Sequence, residues 1–195
     1  MEEINITDAT PEDARLIAWA IMEAVGDEIV AGMAGNKSRE DVEDVFSRLA
    51  VRTDSQYSYL NTRIAVSSEG EKIGVCVSYD GNRLKQLRRS FFDEANKVFG
   101  WGMTSEEVDN LPGETNGEEF YLDTLATLPQ YRGKGIGKLL IEDAWKKAEK
   151  SGLPLGLLVA DDNPDARKLY ESLGFNPVGR RPFAGEMMTN MRLER

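Results

Sequence analysis

Between Phe120 and Lys150 the sequence changes character twice within a few positions, and few folds accommodate such a switch. Phe120–Leu128 is an extended, mostly apolar run. Gln130-Tyr131-Arg132-Gly133-Lys134-Gly135-Ile136-Gly137-Lys138 then packs three glycines and three cations into nine residues. From Ile136 onward, apolar residues recur with helical spacing. A glycine-rich turn that leads from a strand into a helix is an anion site by construction. The glycines admit close backbone approach, successive N–H groups converge on one concavity, and the helix dipole adds positive potential. A phosphate or pyrophosphate is the expected ligand; the plain alternative is a glycine turn before a surface helix.

Composition narrows the classes. A length of 195 residues suits one domain with a sizeable core. No apolar stretch approaches the ~18 residues of a membrane helix. Met1-Glu2-Glu3 is acidic and no apolar run follows, so no signal peptide is expected. The single cysteine, Cys76, cannot form an intrachain disulfide and suits a reducing, cytoplasmic setting. It lies in an alternating apolar run and reads as a small core residue. A formal charge of −10 argues against a nucleic-acid partner and is compatible with a cationic substrate. The chain has no histidine, so the commonest general base and metal ligand are both missing. Acid–base chemistry must fall to carboxylates, tyrosine, lysine, the cysteine or water, and no metal is expected.

The order of elements is readable from periodicity and caps. Ile4–Thr7 reads as a strand. Thr10-Pro11-Glu12-Asp13 starts a helix whose apolar positions run from Ala14 to Val25. Gly32, Gly35 and Asn36 break the pattern, and Ser38 with Asp41 starts a second helix. Arg63–Ser67 and Lys72–Tyr79 read as a hairpin around Ser68-Glu69-Gly70-Glu71. Leu84, Leu87, Phe91, Phe92, Ala95 and Val98 form a helical stripe. Thr104-Ser105-Glu106-Glu107 is a capping box for a short helix that ends before Pro112. A strand over about Glu119–Leu128, the glycine loop and a helix follow. Leu153–Ala160 is apolar throughout, as in a strand buried on both faces. A helix over Asn163–Gly174 and two terminal strands, about Phe175–Phe183 and Glu186–Leu193, complete the chain. Residues 1–195 thus read as a single domain with a helical insertion at about 81–118.

Spacing identifies the loop further. No Ser or Thr follows Gly-Lys, so it is not a Walker A loop, and Gly-x-Gly-x-x-Gly fails from either starting glycine. Arg132-x-x-Gly135-x-Gly137 instead resembles the coenzyme A pyrophosphate loop of the GNAT superfamily of N-acetyltransferases. A second segment, Asn163-Pro164-Asp165-Ala166-Arg167-Lys168-Leu169-Tyr170-Glu171-Ser172-Leu173-Gly174-Phe175, is similar to the GNAT stretch in which an Asn opens a helix, a Tyr follows two turns later and Gly-Phe enters the next strand. The resemblance covers roughly residues 122–179; the N-terminal half agrees only in element order.

The resemblance implies a mixed α/β fold: a central, mostly antiparallel sheet flanked by helices, with two parallel strands splayed around acetyl-CoA. It implies that Arg132, Gly133, Lys134, Gly135, Ile136, Gly137 and Lys138 hold the pyrophosphate. Leu125, Ala126 and Thr127 would pair with the pantetheine arm through their main chain, as in strand addition. Asn163 would cap its helix and touch the same arm.

Acyl transfer to an amine passes through a tetrahedral intermediate and releases a thiolate. Tyr170 is the candidate acid for that sulfur, its bland reading being a core tyrosine. A strand N–H near Leu125 would polarise the thioester carbonyl. Period-2 alternation puts residues 119, 121, 123 and 125 on one face. Asp123 is the nearer candidate base there, with Glu119 and a water chain as alternatives. Phe91, Phe92 and Trp101 are candidate walls of an amine pocket lined by the insertion; packing elaboration or a homodimer contact is the alternative use of that segment. The expected activity is acetyl-CoA-dependent acetylation of a primary amine, of a small molecule in the first instance. A protein N-terminal or lysine acetyltransferase and a non-catalytic acyl-CoA-binding module are the alternatives.

Overall fold

In the computed structural model, which describes residues 3–194, helices cover both faces of one mixed sheet. The N-terminal half runs β1 (Asn5–Asp8), α1 (Ala14–Val25), α2 (Asp27–Ala34), α3 (Arg39–Val51), β2 (Thr62–Val66) and β3 (Lys72–Asp80). Three helices then lie between β3 and the next strand: α4 (Leu84–Leu87), α5 (Arg89–Phe99) and α6 (Ser105–Asn110). The second half runs β4 (Phe120–Thr127), α7 (Ile136–Lys150), β5 (Leu155–Val159), α8 (Pro164–Ser172), β6 (Asn176–Phe183) and β7 (Glu186–Leu193).

Local chemistry explains most boundaries. Ser38 and Thr104 each accept the N–H three residues on, while Asp41 and Glu107 reach back to the cap amides, so both capping boxes form. α2 was not expected from sequence. Gly26, at φ 87°, turns the chain out of α1, and Asp27 and Glu28 then sit in a new first turn where the helix dipole favours acidic groups. Gly32 is accommodated within that helix. The stripe from Leu84 to Val98 is split into α4 and α5 at Arg88.

The strand order is β1-β2-β3-β4-β5-β7-β6. Every neighbouring pair is antiparallel except β4 with β5. One core packs α1, α2 and α3 on one face, around Ile17, Ile21, Phe46 and Leu49. A second packs α7 and α8 on the other, around Ile136, Leu140, Ile141 and Phe175. Among the described residues no helix is long and apolar enough to cross a membrane.

The parallel pair is short. Only Phe120↔Leu155 and Tyr121↔Gly156 are in register, after which the strands part. A side-chain clasp holds that junction. Glu119, fully buried, accepts a 2.6 Å charged hydrogen bond from Arg192 Nε on β7. Its carboxylate lies across Gly156, where a Cβ would come within 2.1 Å of Glu119 Oε2. Only a residue without a side chain lets β4, β5 and β7 close around this pair. Gly156→Ala must therefore displace a buried carboxylate from its guanidinium. The expected cost is about 3 kcal/mol, a fall in Tm of roughly 6–12 °C for a chain of this size. Thermal unfolding of the variant checks it, and an unchanged Tm would show that the pair relaxes freely.

Candidate active site

Where β4 and β5 separate, a cleft of about 1020 Å³ opens between them. Its size is at the upper end for a small-molecule site, with room for an elongated ligand as well as a second, smaller one. It runs from the glycine loop and the start of α7, past α8, to Asp123 and the aromatic rings beside it.

The loop end is built for an anion. Gly133 and Gly135 take φ 75° and 84°, a region that residues with a side chain enter only at a cost, and Gly135 is the N-cap of α7. No side chain caps that helix, so its leading amides, in the Ile136–Lys138 turn, face the cleft without an intrahelical acceptor. Arg132, Gly133, Gly135, Ile136, Gly137 and Lys138 all line the cleft. Lys134 does not; its ammonium lies 4.7 Å from the centre of the Tyr131 ring. Arg132 donates to Thr127 O at 3.2 Å and pairs with Glu23 at the end of α1.

Along the middle, Leu125, Ala126 and Thr127 form one wall and Asn163 and Tyr170 stand opposite. Asn163 Oδ1 accepts from the Ala166 amide at 3.1 Å and so caps α8. Tyr170 is buried, 5.7 Å from Phe175 between ring centres. Burial, followed by the neighbouring Cys76, pushes its phenol up to about 12, so it carries its proton throughout the neutral range.

At the far end Asp123 interrupts the alternation of β4. Against β3, Val77 pairs with Thr124 and Ser78 with Leu122, leaving Asp123 as the extra residue of a β-bulge. The bulge reverses the phase of the strand. Tyr121 and Ala126 belong to the helix α1–α3 core, whereas Leu122 and Leu125 pack in the α7–α8 core. Residues 121 and 125 therefore do not share a face, contrary to the alternation expected from sequence. The bulge turns the Asp123 carboxylate toward the cleft, where it accepts from Tyr79 Oη at 2.7 Å, Thr124 Oγ1 at 3.0 Å and Gln56 Nε2 at 3.3 Å. Burial raises its pKa, and the three donors oppose that rise without cancelling it.

The other expected participants lie elsewhere. Glu119 does not line the cleft; it is the carboxylate of the Arg192 clasp. Phe91, Phe92 and Trp101 pack on one another outside it, with Phe91 stacked 6.0 Å from Phe46. Tyr57 and Tyr121 do reach the cleft, together with Tyr131, Tyr170 and Phe183. Tyr57 sits in an irregular turn after α3 that carries no periodic signal. Alternation puts Tyr121 on the face of Asp123 but does not single out its ring as a cleft wall.

Residues 39–175 match the Acetyltransferase (GNAT) family. An uncharacterized protein of Mycobacterium leprae is 29% identical over 61% of the chain and 38% of its own length. The [ribosomal protein bS18]-alanine N-acetyltransferase of Haemophilus influenzae is 32% identical over 45% of the chain and 54% of its own length. The chain thus spans about two fifths to one half of these curated relatives. Among solved structures, one described as an acetyltransferase superposes with a TM-score of 0.75 at 29% identity, covering 97% of this chain and 98% of that one. An N-acetyltransferase from Staphylococcus aureus Mu50 superposes at 0.78 with 22% identity, covering 97% and 100%, a likeness of fold. The family match covers the glycine loop, the bulged strand and the whole of α8 together, and the chain belongs to the GNAT family of acetyltransferases.

Proposed function

We propose that the protein transfers an acetyl group from acetyl-CoA to a primary amine of a small molecule, by direct attack with both substrates bound. The observation that carries the reading is the splay of β4 from β5, with an anion-binding helix start at one end of the cleft and a desolvated carboxylate at the other. The chain is taken as a single catalytic unit with the helices of 81–118 as an insertion.

The residues present fit the cofactor. Gly133 and Gly135 make a cradle, and the amides of Ile136–Lys138, with Arg132 and Lys138 beside them, supply the positive potential that a pyrophosphate needs. Leu125–Thr127 offer a strand edge that β5 does not cover. Bound acetyl-CoA supplies the activated acetyl group as a thioester. Asp123 receives a proton from the acceptor ammonium, so that the free amine attacks the carbonyl carbon. Tyr170 donates its phenolic proton to the sulfur as the C–S bond breaks, the second proton of the attacking nitrogen leaves through water, and the phenolate is reprotonated from solvent. Holding both reactants in one cleft lowers the entropic barrier.

A protein amine is the second reading, favoured by the relative named for acetylating an alanine of a ribosomal protein. Release of free thiol from acetyl-CoA, followed over alkylamines, amino-acid amides and peptides with free N-termini, separates the two. Thiol release with peptides alone would replace the small-molecule reading, and none with any amine would leave a binding module.

Acetyl-CoA at 100 times its Kd is expected to stabilise the protein by about 2.7 kcal/mol, raising Tm by roughly 5–10 °C. Gly135→Val, which forces a β-branched residue into the left-handed region at the head of α7, should abolish most of that shift. A full shift in the variant would remove the loop from the cofactor site. Tyr170→Phe should lower kcat about 10²-fold while leaving the acetyl-CoA-induced Tm shift intact. Wild-type turnover in this variant would exclude Tyr170 as the acid.

A further inference from the structure

The two oxygens of the Asp123 carboxylate are not equivalent. Oδ2 accepts from Tyr79 Oη at 2.7 Å and from Gln56 Nε2 at 3.3 Å. Oδ1 accepts from Thr124 Oγ1 at 3.0 Å and from no other donor among the described residues. A carboxylate oxygen offers about two lone-pair sites. Both are engaged at Oδ2, by donors on buried side chains, while Oδ1 keeps one for an incoming proton.

Each donor to Oδ2 is itself held in place. Tyr79 stands on β3 opposite Tyr121, with the two ring centres 5.9 Å apart, so sheet register fixes where its phenol ends. Gln56 comes from the turn between α3 and β2. Asn61 Nδ2 fastens that turn by donating to Ser55 O at 3.1 Å and to Gln56 O at 3.0 Å. The Oε1 of Gln56 is buried without a donor among the described residues, a costly arrangement. Turning the amide over would place Oε1 against the carboxylate instead, acceptor against acceptor. The orientation of Gln56 therefore follows from the charge on Asp123.

We infer that Tyr79 and Gln56 are positioning residues that clamp Asp123 through Oδ2, holding it in its charged form and leaving Oδ1 to take the proton of the acceptor ammonium. This rests on the acetyltransferase reading above and deepens it. Neither residue lines the cleft; both act through Asp123. In the step, an N–H bond of the ammonium breaks, its electron pair stays on nitrogen, and the proton forms an O–H bond at Oδ1. The hydrogen bonds at Oδ2 weaken as the carboxyl loses its charge. The clamp thus opposes burial and lets Asp123 work as a base at lower pH than burial alone would allow.

The titratable groups facing Asp123 come from three other parts of the chain and from β4 itself. Burial first, and then the Asp123 charge, push Tyr57, Tyr79 on β3 and Tyr121 on β4 well above the ordinary tyrosine range. Burial pushes the Cys76 thiol on β3 up to about 12. These groups stay neutral while Asp123 titrates. Burial, followed by the Asp123 charge, pushes Glu114 in the segment before β4 up to about 7. Glu114→Gln, combined with each variant below, removes that titration from the comparison.

Tyr79→Phe keeps the ring and deletes one donor to the charged form. The midpoint of Asp123, followed by carboxyl-carbon NMR in the protein without substrates and identified by its loss in Asp123→Asn, should rise by about one pH unit. Gln56→Leu, which deletes the longer of the two hydrogen bonds, should shift it the same way by less. With an alkylamine acceptor, the acid limb of kcat/KM should move up with the midpoint. The loss in Tyr79→Phe should be about tenfold below the wild-type midpoint and should shrink as pH rises. A merely structural role predicts the same loss at every pH and an unmoved midpoint, and that result would overturn the clamp. If Tyr79→Phe does not fold, Gln56→Leu decides by the same two readouts. If no amine is acetylated, the transferase reading fails, and the NMR midpoint still decides whether Asp123 is clamped.

Discussion

Everything about the cleft depends on two strands being fastened at one end and released at the other. The fastening is the Glu119–Arg192 pair lying over Gly156, just where β4 and β5 are in register. A buried ion pair of this kind contributes little net stability against an apolar alternative, but it is specific about geometry, and losing either partner leaves an uncompensated charge. Its effect is to fix where parallel pairing stops. Beyond Tyr121 the inner edge of β4 has backbone groups that no neighbouring strand satisfies, and such groups, away from bulk water, want partners. The fold thus creates an unpaired strand edge and then a crevice of matching shape next to it.

The cleft is also electrically polarised along its length. At one end stand Arg132, Lys138 and the positive end of the α7 dipole; at the other, the Asp123 carboxylate. A molecule with a multiply charged anionic head and a neutral tail has one favourable orientation in such a field. A cation is drawn to the opposite end. The net charge of −10 across the chain does not express this arrangement, which depends on a few positions and not on the total. Glu23, paired with Arg132 at the mouth, shows how the cationic end is balanced from outside the loop.

Much of this was legible in the sequence because local rules govern it. The capping boxes at Ser38 and Thr104, the left-handed glycines of the loop and the Asn163 cap of α8 all depend on residues within a few positions of one another. The two-motif spacing identified the family. What could not be read depends on tertiary register. The bulge at Asp123 has no glycine to mark it, and it put Tyr121 and Leu125 on opposite faces. Glu119 looked like a cleft residue under strict alternation and is instead buried in the clasp with Arg192, 73 positions away. Tyr57, which lines the cleft, and Gln56, which donates to Asp123, come from an aperiodic turn. α2 was missed because Gly32 within it, and Gly35 and Asn36 just after it, outweighed its acidic first turn.

The bulge has a consequence for how the protein can change. A strand with continuous alternation ties the facing of every residue to that of every other, so altering one end disturbs the whole. Here the phase is reset at one residue. The portion before Asp123 belongs to the closed junction, and the portion after it forms the strand edge beside the glycine loop. Substitutions on one side of that joint leave the facing of the other side intact. A lineage, or an engineer, can therefore redraw the Asp123 end of the cleft while the strand edge beside the glycine loop keeps its register.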